Sequence, residues 1–220
     1  MQKTFVMSWS GGKDSALAYY RAVMAGHVPA ALFTMFEKDG SRSRSHGLPL
    51  EVMEAQAVRM GLPLVVGKAD WSGYEDEFIR QLRHFKEEGV GMGVYGDIDL
   101  EDHLAWVQKV SAIAGVEANH PLWQEPRKEL LLELIREGFK AVITVVDTGR
   151  LDKRFLGREF NESLIEELEA SGVDACGEEG EFHTVIVDGP IFVEPVPVVF
   201  GDRVENGNYH MLEVKLQTKE

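Results

Sequence analysis

Two short stretches of this chain concentrate residue types that do chemistry. The first, Ser10 to Ser15 (SGGKDS), follows the apolar run Thr4 to Met7 and precedes a helical pattern that starts near Ala16. Glycines after a strand let the backbone approach an anion without Cβ clashes, and the amides at a helix start point toward it. Lys13 adds a point charge suited to phosphate oxygens, while Asp14 and Ser15 are residue types that cap helices. Gly11, Gly12 and Lys13 run together, which is neither the spacing of a Walker A loop nor a Rossmann fingerprint. The stretch reads as a triphosphate cradle of another kind.

The second stretch is Gly177 to Thr184 (GEEGEFHT), where Glu178, Glu179 and Glu181 crowd together with His183 and Thr184 around Gly177 and Gly180. Carboxylates within one turn repel each other, so the cluster costs stability unless a cation or a proton donor offsets it. Magnesium, ammonia or ammonium binding and acid–base work each fit, and so does a solvated acidic turn. His183, with an unperturbed pKa of ~6.5, is either a proton acceptor at neutral pH or a hydroxyl-bonded structural residue.

The elements that position these stretches follow from periodicity. Strand patterns at Thr4 to Met7, Pro29 to Phe36, Leu62 to Val66, Gly91 to Tyr95 and Lys140 to Val146 alternate with amphipathic helical patterns, with a short strand also expected at Val116 to Asn119. That alternation predicts an α/β fold, a doubly wound parallel five-stranded sheet, with its ligand site at the carboxyl ends of the strands. Asp97 sits directly at the end of the fourth strand and either works in the site or caps the following helix. Trp123 lies in a turn after a strand and lines a substrate cleft or plugs a domain junction; Trp106 is expected in the core. Beyond residue 150 the rhythm changes to a helix and antiparallel strands. The expected division is therefore residues 1–150 for nucleotide binding and 151–220 for a smaller α+β region that binds substrate.

Composition limits the partners. The chain has 220 residues, 44% hydrophobic and 27% charged, and a net charge of −14 from 23 Lys plus Arg against 37 Asp plus Glu. Such a balance opposes binding to a phosphate backbone, so no nucleic-acid partner is expected; Arg42, Arg44 and His46 form the best local basic patch. Cys176 stands alone, which precludes an internal disulfide and suits a reducing cytoplasm, and its acidic neighbours disfavour a thiolate nucleophile. No signal segment or membrane span is expected. The apolar C-terminal strands suggest pairing between copies, although Pro195 and Pro197 weaken it.

Taken together, SGGKDS, Gly96 to Ile98 (GDI), Pro121 to Trp123 (PLW), Leu156 with Gly157, GEEGEFHT and the following VDGP resemble the diphthine–ammonia ligase family across residues 4–190. That family belongs to the ATP pyrophosphatase (PP-loop) group of adenine nucleotide alpha hydrolase-like, or HUP, folds. The resemblance implies that a carboxylate attacks the α phosphate of ATP, pyrophosphate leaves, and ammonia converts the acyl adenylate to an amide. It further implies ATP on Ser10, Gly11, Gly12, Lys13, Asp14 and Ser15, and adenine against the backbone of Phe33 and Thr34. Asp14 is the candidate magnesium ligand, Glu178, Glu181, His183 and Asp97 are the candidate catalytic groups, and Trp123, Glu179, Gly180 and Thr184 face substrate. The diphthamide-forming branch carries a motif like GEGGEFET; here Glu179 stands for a Gly and His183 for a Glu. The GE.GEFHT form is similar to a prokaryotic branch linked to corrinoid salvage, so the acceptor is diphthine or a corrinoid-related carboxylate. A different class, a non-enzymatic ATP sensor on the same fold, is the alternative.

Overall fold

The structure, a computed structural model, describes residues 1–44 and 46–217. The first half runs β1 (Thr4–Ser8), α1 (Lys13–Met24), β2 (Val28–Phe36), α2 (Leu50–Met60), β3 (Leu64–Lys68), α3 (Tyr74–Glu87), β4 (Met92–Val94), α4 (Glu101–Ala114) and β5 (Glu117–Asn119). These five strands pair in parallel in the order β3-β2-β1-β4-β5. The chain winds outward from β1 in both directions, so the crevice opens where β1 and β4 end side by side. Both faces of β1 are covered, which is why its Phe5, Val6 and Met7 are all buried.

The second half runs α5 (Arg127–Arg136), β6 (Lys140–Asp147), a 3-10 turn (Lys153–Phe155), α6 (Glu162–Ala170), β7 (Phe182–Asp188), β8 (Val198–Asn206) and β9 (Tyr209–Leu216). Its four strands form a separate antiparallel sheet in the order β7-β6-β9-β8. This corrects one expectation. Lys140–Asp147 does not close the parallel sheet; that edge belongs to the three-residue β5, and β6 lies between β7 and β9. An unbroken apolar run signals burial on both faces, and a central antiparallel strand covered on both sides meets that condition as well as a parallel one does. The sheets therefore divide between Asn119 and Lys140, ahead of the expected boundary at residue 150.

One core joins the halves. Phe5, Met7 and Leu17 share a continuous buried cluster with Ile143, Phe160 and Phe182, while Phe33, Phe78, Leu82 and Val110 fill the opposite face of the parallel sheet. Gln56, fully buried, ties them further: its amide nitrogen donates to the carbonyls of Gly11 and Ile186 at 3.0 and 2.9 Å, and its carbonyl accepts from the Trp9 indole at 2.9 Å. No helix among the described residues is long and apolar enough to cross a membrane.

Candidate active site

The glycine turn between β1 and α1 is shaped by the second sheet. Gly11 has φ +80°, a conformation that favours glycine, and its carbonyl accepts from the Ile186 amide at 2.9 Å. Helix α1 starts at Lys13, three residues before the sequence pattern suggested, so Asp14 and Ser15 lie inside its first turn rather than capping it. Gly12 occupies the cap position and has no side chain to offer. Thr184 of β7 substitutes: its Oγ1 accepts from the Lys13 amide at 3.1 Å. The amides of Asp14 and Ser15 have no intrahelical carbonyl one turn back and are donors of the kind an anion can use. Ser10 Oγ, 3.0 Å from Ser15 Oγ, adds a hydroxyl beside them.

These groups line a cavity of about 790 Å³ between the carboxyl ends of β1 and β4 and the start of β7. Of the residues singled out from sequence, it brings together Ser10, Lys13, Asp14, Ser15, Asp97, Glu178, Gly180, His183 and Thr184. Gly11 and Gly12 form the backbone behind them. A Cβ on Gly12 would stand 2.2 Å from His46 Cε1 and 3.0 Å from the Thr184 carbonyl oxygen, so only glycine fits.

Charge in the cavity is unbalanced. Lys13 is buried and its ammonium donates to both carboxylate oxygens of Asp14 at 2.9 and 2.8 Å. Burial, with the Asp14 charge next in importance, pushes the nearby Glu178 carboxyl from an ordinary 4.5 up to about 7. Glu178 is thus a group that holds or releases a proton near neutrality. Burial would raise Asp97 too, but the neighbouring imidazoles of His103 and His120, whose Nδ1 atoms lie 3.6 and 3.4 Å away, hold it down at about 2. Asp97 is an anion here, not an acid.

His46 and His183 lie against each other, ring centroids 4.9 Å apart with the planes tilted by 34°. Burial outweighs a hydrogen bond from His46 Nδ1 to the Thr184 carbonyl, 2.7 Å, and takes His46 down to about 4. Burial, together with His46 and Lys13, takes His183 to about 3. Both imidazoles are neutral acceptors at neutral pH.

Five expected site residues lie outside the cavity. Phe33 and Thr34 sit within β2, short of its end at Phe36. The Phe33 carbonyl accepts from the Trp9 amide at 2.7 Å and its ring packs on Phe78, 5.0 Å between centroids; Thr34 is buried. Trp123 stands behind His120, edge-on at 6.2 Å. The Glu179 side chain is exposed, 3.8 Å from Arg150 Nη1. Glu181 is buried with its carboxylate accepting the Glu179 amide at 3.1 Å, which makes it a brace of the turn.

Other residues entered that sequence reasoning passed over. Trp71, Tyr74, Phe78 and Trp106 form an aromatic wall, with the Trp106 indole donating to Glu75 at 2.9 Å, so Trp106 is a wall residue and not core. The expected basic patch of Arg42, Arg44 and His46 is not one: Arg44 lies over the Trp71 ring at 4.6 Å and donates to the Ala69 carbonyl, and the half-buried His46 is neutral. The strand-end rule that picked Asp97 would have found Trp71 and Tyr74 after β3. Cys176 is buried, its thiol pushed up by burial, and it donates to the Arg127 carbonyl at 3.3 Å.

Magnesium fits the donors present only with a ligand's help. No group of three or more His, Cys, Asp or Glu side chains converges on a cation position among the described residues. Magnesium is, however, usually held by one or two carboxylates plus substrate phosphates and waters, and Asp14 supplies one beside the amides at the start of α1.

Comparison with known proteins then gives independent evidence. Residues 2–118 match the sequence model of the diphthamide synthase N-terminal domain, and residues 127–219 that of the diphthamide synthase C-terminal domain. The diphthine–ammonia ligase of Danio rerio is 31% identical over 85% of this chain and 83% of its own length. That of Homo sapiens is 29% identical over 86% and 80%. A solved structure described as a predicted subunit of a tRNA methyltransferase from Methanocaldococcus jannaschii superposes with a TM-score of 0.46 at 17% identity, over 85% of this chain and 98% of that one.

Proposed function

The chain belongs to the diphthamide synthase family of ATP-dependent amide ligases, and we propose that its large cavity adenylates a substrate carboxylate and passes the acyl group to ammonia. The observation that carries this reading is the convergence of the α1 amides, Lys13 and the near-neutral Glu178 on one cavity with neutral His183.

In the first half-reaction the carboxylate oxygen bonds to the α phosphorus of ATP and the bond to the bridging oxygen breaks, releasing pyrophosphate. Lys13, the amides of Asp14 and Ser15 and the Ser10 hydroxyl hold the charge that collects on that leaving group. The aromatic wall of Trp71, Tyr74 and Trp106 offers a planar face for adenine, in place of Phe33 and Thr34. Magnesium, held by Asp14 with the phosphates, would offset the anionic crowding and polarise the α phosphate. In the second half-reaction ammonia attacks the acyl carbon, AMP leaves with the bonding electrons, and the nitrogen sheds a proton. Glu178 is suited to take that proton, because its pKa of about 7 lets it act as a base near neutrality.

The acceptor is a carboxylate of the diphthine or corrinoid kind, with Gly180, His183 and Thr184 on its side of the cavity. We place the nucleotide and acceptor domains on either side of residues 120–126, following the sheets and the two family matches. The test supplies ATP, magnesium, ammonium and a panel of such carboxylates. AMP, pyrophosphate and an amide are the expected products. ADP and phosphate, or tight ATP binding without turnover on any acceptor, would sink the reading, and the second outcome would favour a sensor.

A further inference from the structure

His103, in the first turn of α4, lines the large cavity together with Asp97. Two anchors fix where it stands. On one side the end of β4 abuts the start of α1: a Cβ on Gly96 would lie 3.0 Å from the Asp14 carbonyl carbon and the Ser15 amide nitrogen, so Asp97 follows directly on the amides offered to phosphate. On the other side Trp106 of the aromatic wall comes three residues further along α4, the spacing of neighbours on one helix face. His103 therefore stands between the surface that takes adenine and the cradle that takes the leaving pyrophosphate. The α phosphate has to cross that stretch.

The ring is held by a carboxylate that is itself held. His103 Nδ1 lies 3.6 Å from one Asp97 oxygen, and His120 Nδ1 lies 3.4 Å from the other. The His120 side chain is 7% exposed and packs on the Tyr95 ring at 5.4 Å, and neither of its ring nitrogens has a hydrogen-bond partner among the described residues. Facing Asp97 is what offsets the burial of that imidazole. Other cations nearby are engaged, Lys13 by Asp14 and Arg44 by the Ala69 carbonyl. Asp97 after β4, with Glu178 before β7 and Asp102 on the same helix, raises the His103 pKa above its ordinary 6.5 against the opposing effect of burial.

We propose that His103 is the residue that meets the α phosphate, its Nε2–H donating to the oxygen that gains charge when AMP leaves, with Asp97 as its positioning residue. The inference rests on the ligase reading and adds a role to it. As the bond between the acyl carbon and the phosphate oxygen breaks, its electron pair stays on that oxygen. A hydrogen bond from the imidazolium stabilises the new charge, and no proton leaves the ring. Above its pKa His103 keeps one ring proton, on the nitrogen that faces Asp97, and the donor is lost.

The experiment uses the full chain with ATP, magnesium, ammonium and the carboxylate that supports exchange of labelled pyrophosphate into ATP. The kcat for amide formation is followed across neutral and alkaline pH at constant free ammonia, where wild type is expected to lose activity as His103 deprotonates. His103→Ala, at a side chain 63% exposed, is expected to lower kcat about 100-fold. His103→Gln, a neutral donor, is expected to recover about tenfold of that loss and to abolish the alkaline limb. Asp97→Asn is expected to move the limb to lower pH, a shift that a merely structural Asp97 would not produce. A kcat within about threefold of wild type in both His103 variants, or an unchanged limb in His103→Gln, overturns the assignment while leaving the ligase. Absence of exchange in the wild-type chain on every carboxylate overturns the ligase reading itself.

Discussion

Glu178 and the His46–His183 pair make opposite demands on pH. Glu178 binds its proton more tightly folded than unfolded, so its contribution to stability falls as pH rises from the ordinary 4.5 through about 7. Glu178→Gln is therefore expected to raise the thermal midpoint relative to wild type above pH 7, by the equivalent of about 1–3 kcal/mol, with the difference vanishing below pH 4.5. A larger gain at acid pH in a thermal scan would show the carboxyl is not held protonated. Both histidines bind protons less tightly folded, so their contribution is present above 6.5 and is lost as pH falls toward about 4 and 3. At Gly12 the demand is steric. Gly12→Ala is expected to abolish nucleotide binding by calorimetry and to cost about 1–3 kcal/mol; adding His46→Ala is expected to recover part of that cost and not all, because the Thr184 carbonyl remains 3.0 Å from the new methyl group.

At the scale of elements, the second sheet completes the first one's helix. β7 caps α1 through Thr184, and the turn before β7 is tied to the loop after β4 by Arg127, at the start of α5. Arg127 donates to both Asp99 oxygens at 2.7 Å and to Asp174 at 2.8 Å, and the same Asp174 oxygen accepts the Glu178 amide at 3.0 Å. Arg127 thereby positions Glu178 without touching the cavity. Arg127→Met is expected to lose about 1–2 kcal/mol, discounted for partial exposure, and to move the acidic limb of the activity profile upward, because its cation lowers the Glu178 pKa. A profile unmoved while stability drops would reduce Arg127 to a structural role. Gln56→Leu leaves the Trp9 indole and the Gly11 and Ile186 carbonyls each short of one bond, at about 2–3 kcal/mol.

Across the whole molecule, ligand and charge act on both sheets together, since the cavity is built from each and one core runs beneath them. ATP with magnesium at a hundredfold excess over Kd is expected to add about 2.7 kcal/mol to global stability. Hydrogen exchange should slow in β7 as well as in α1, whereas protection confined to residues 13–24 would contradict a shared site. The net charge of −14 works against compactness, so raising ionic strength toward ~0.15 M, where charges are screened beyond ~8 Å, is expected to raise the midpoint.

Local chemistry was written in order along the chain. The glycine turn after an apolar run, strand–helix alternation through β5 and the acidic turn before β7 were all legible, because turns, strand periods and helix stops depend on neighbours in sequence. What sequence could not carry was which side a buried run pairs with, so Lys140–Asp147 read as parallel and proved antiparallel. Nor could it carry the partners of α1. Thr184 lies 171 positions from the Lys13 amide it accepts from, and His46 and His183 meet from opposite halves of the chain. The aromatic wall was hidden for the same reason: Tyr74, Phe78 and Trp106 have the spacing of any amphipathic helix, and only the crossing of α3 with α4 turns that face into a cavity. The amino-acid sequence determined the glycine turn that opens α1 and the acidic turn before β7. Tertiary structure decided that they share one cavity, and set the protonation of its groups, because burial and opposing charge depend on segments distant in the chain.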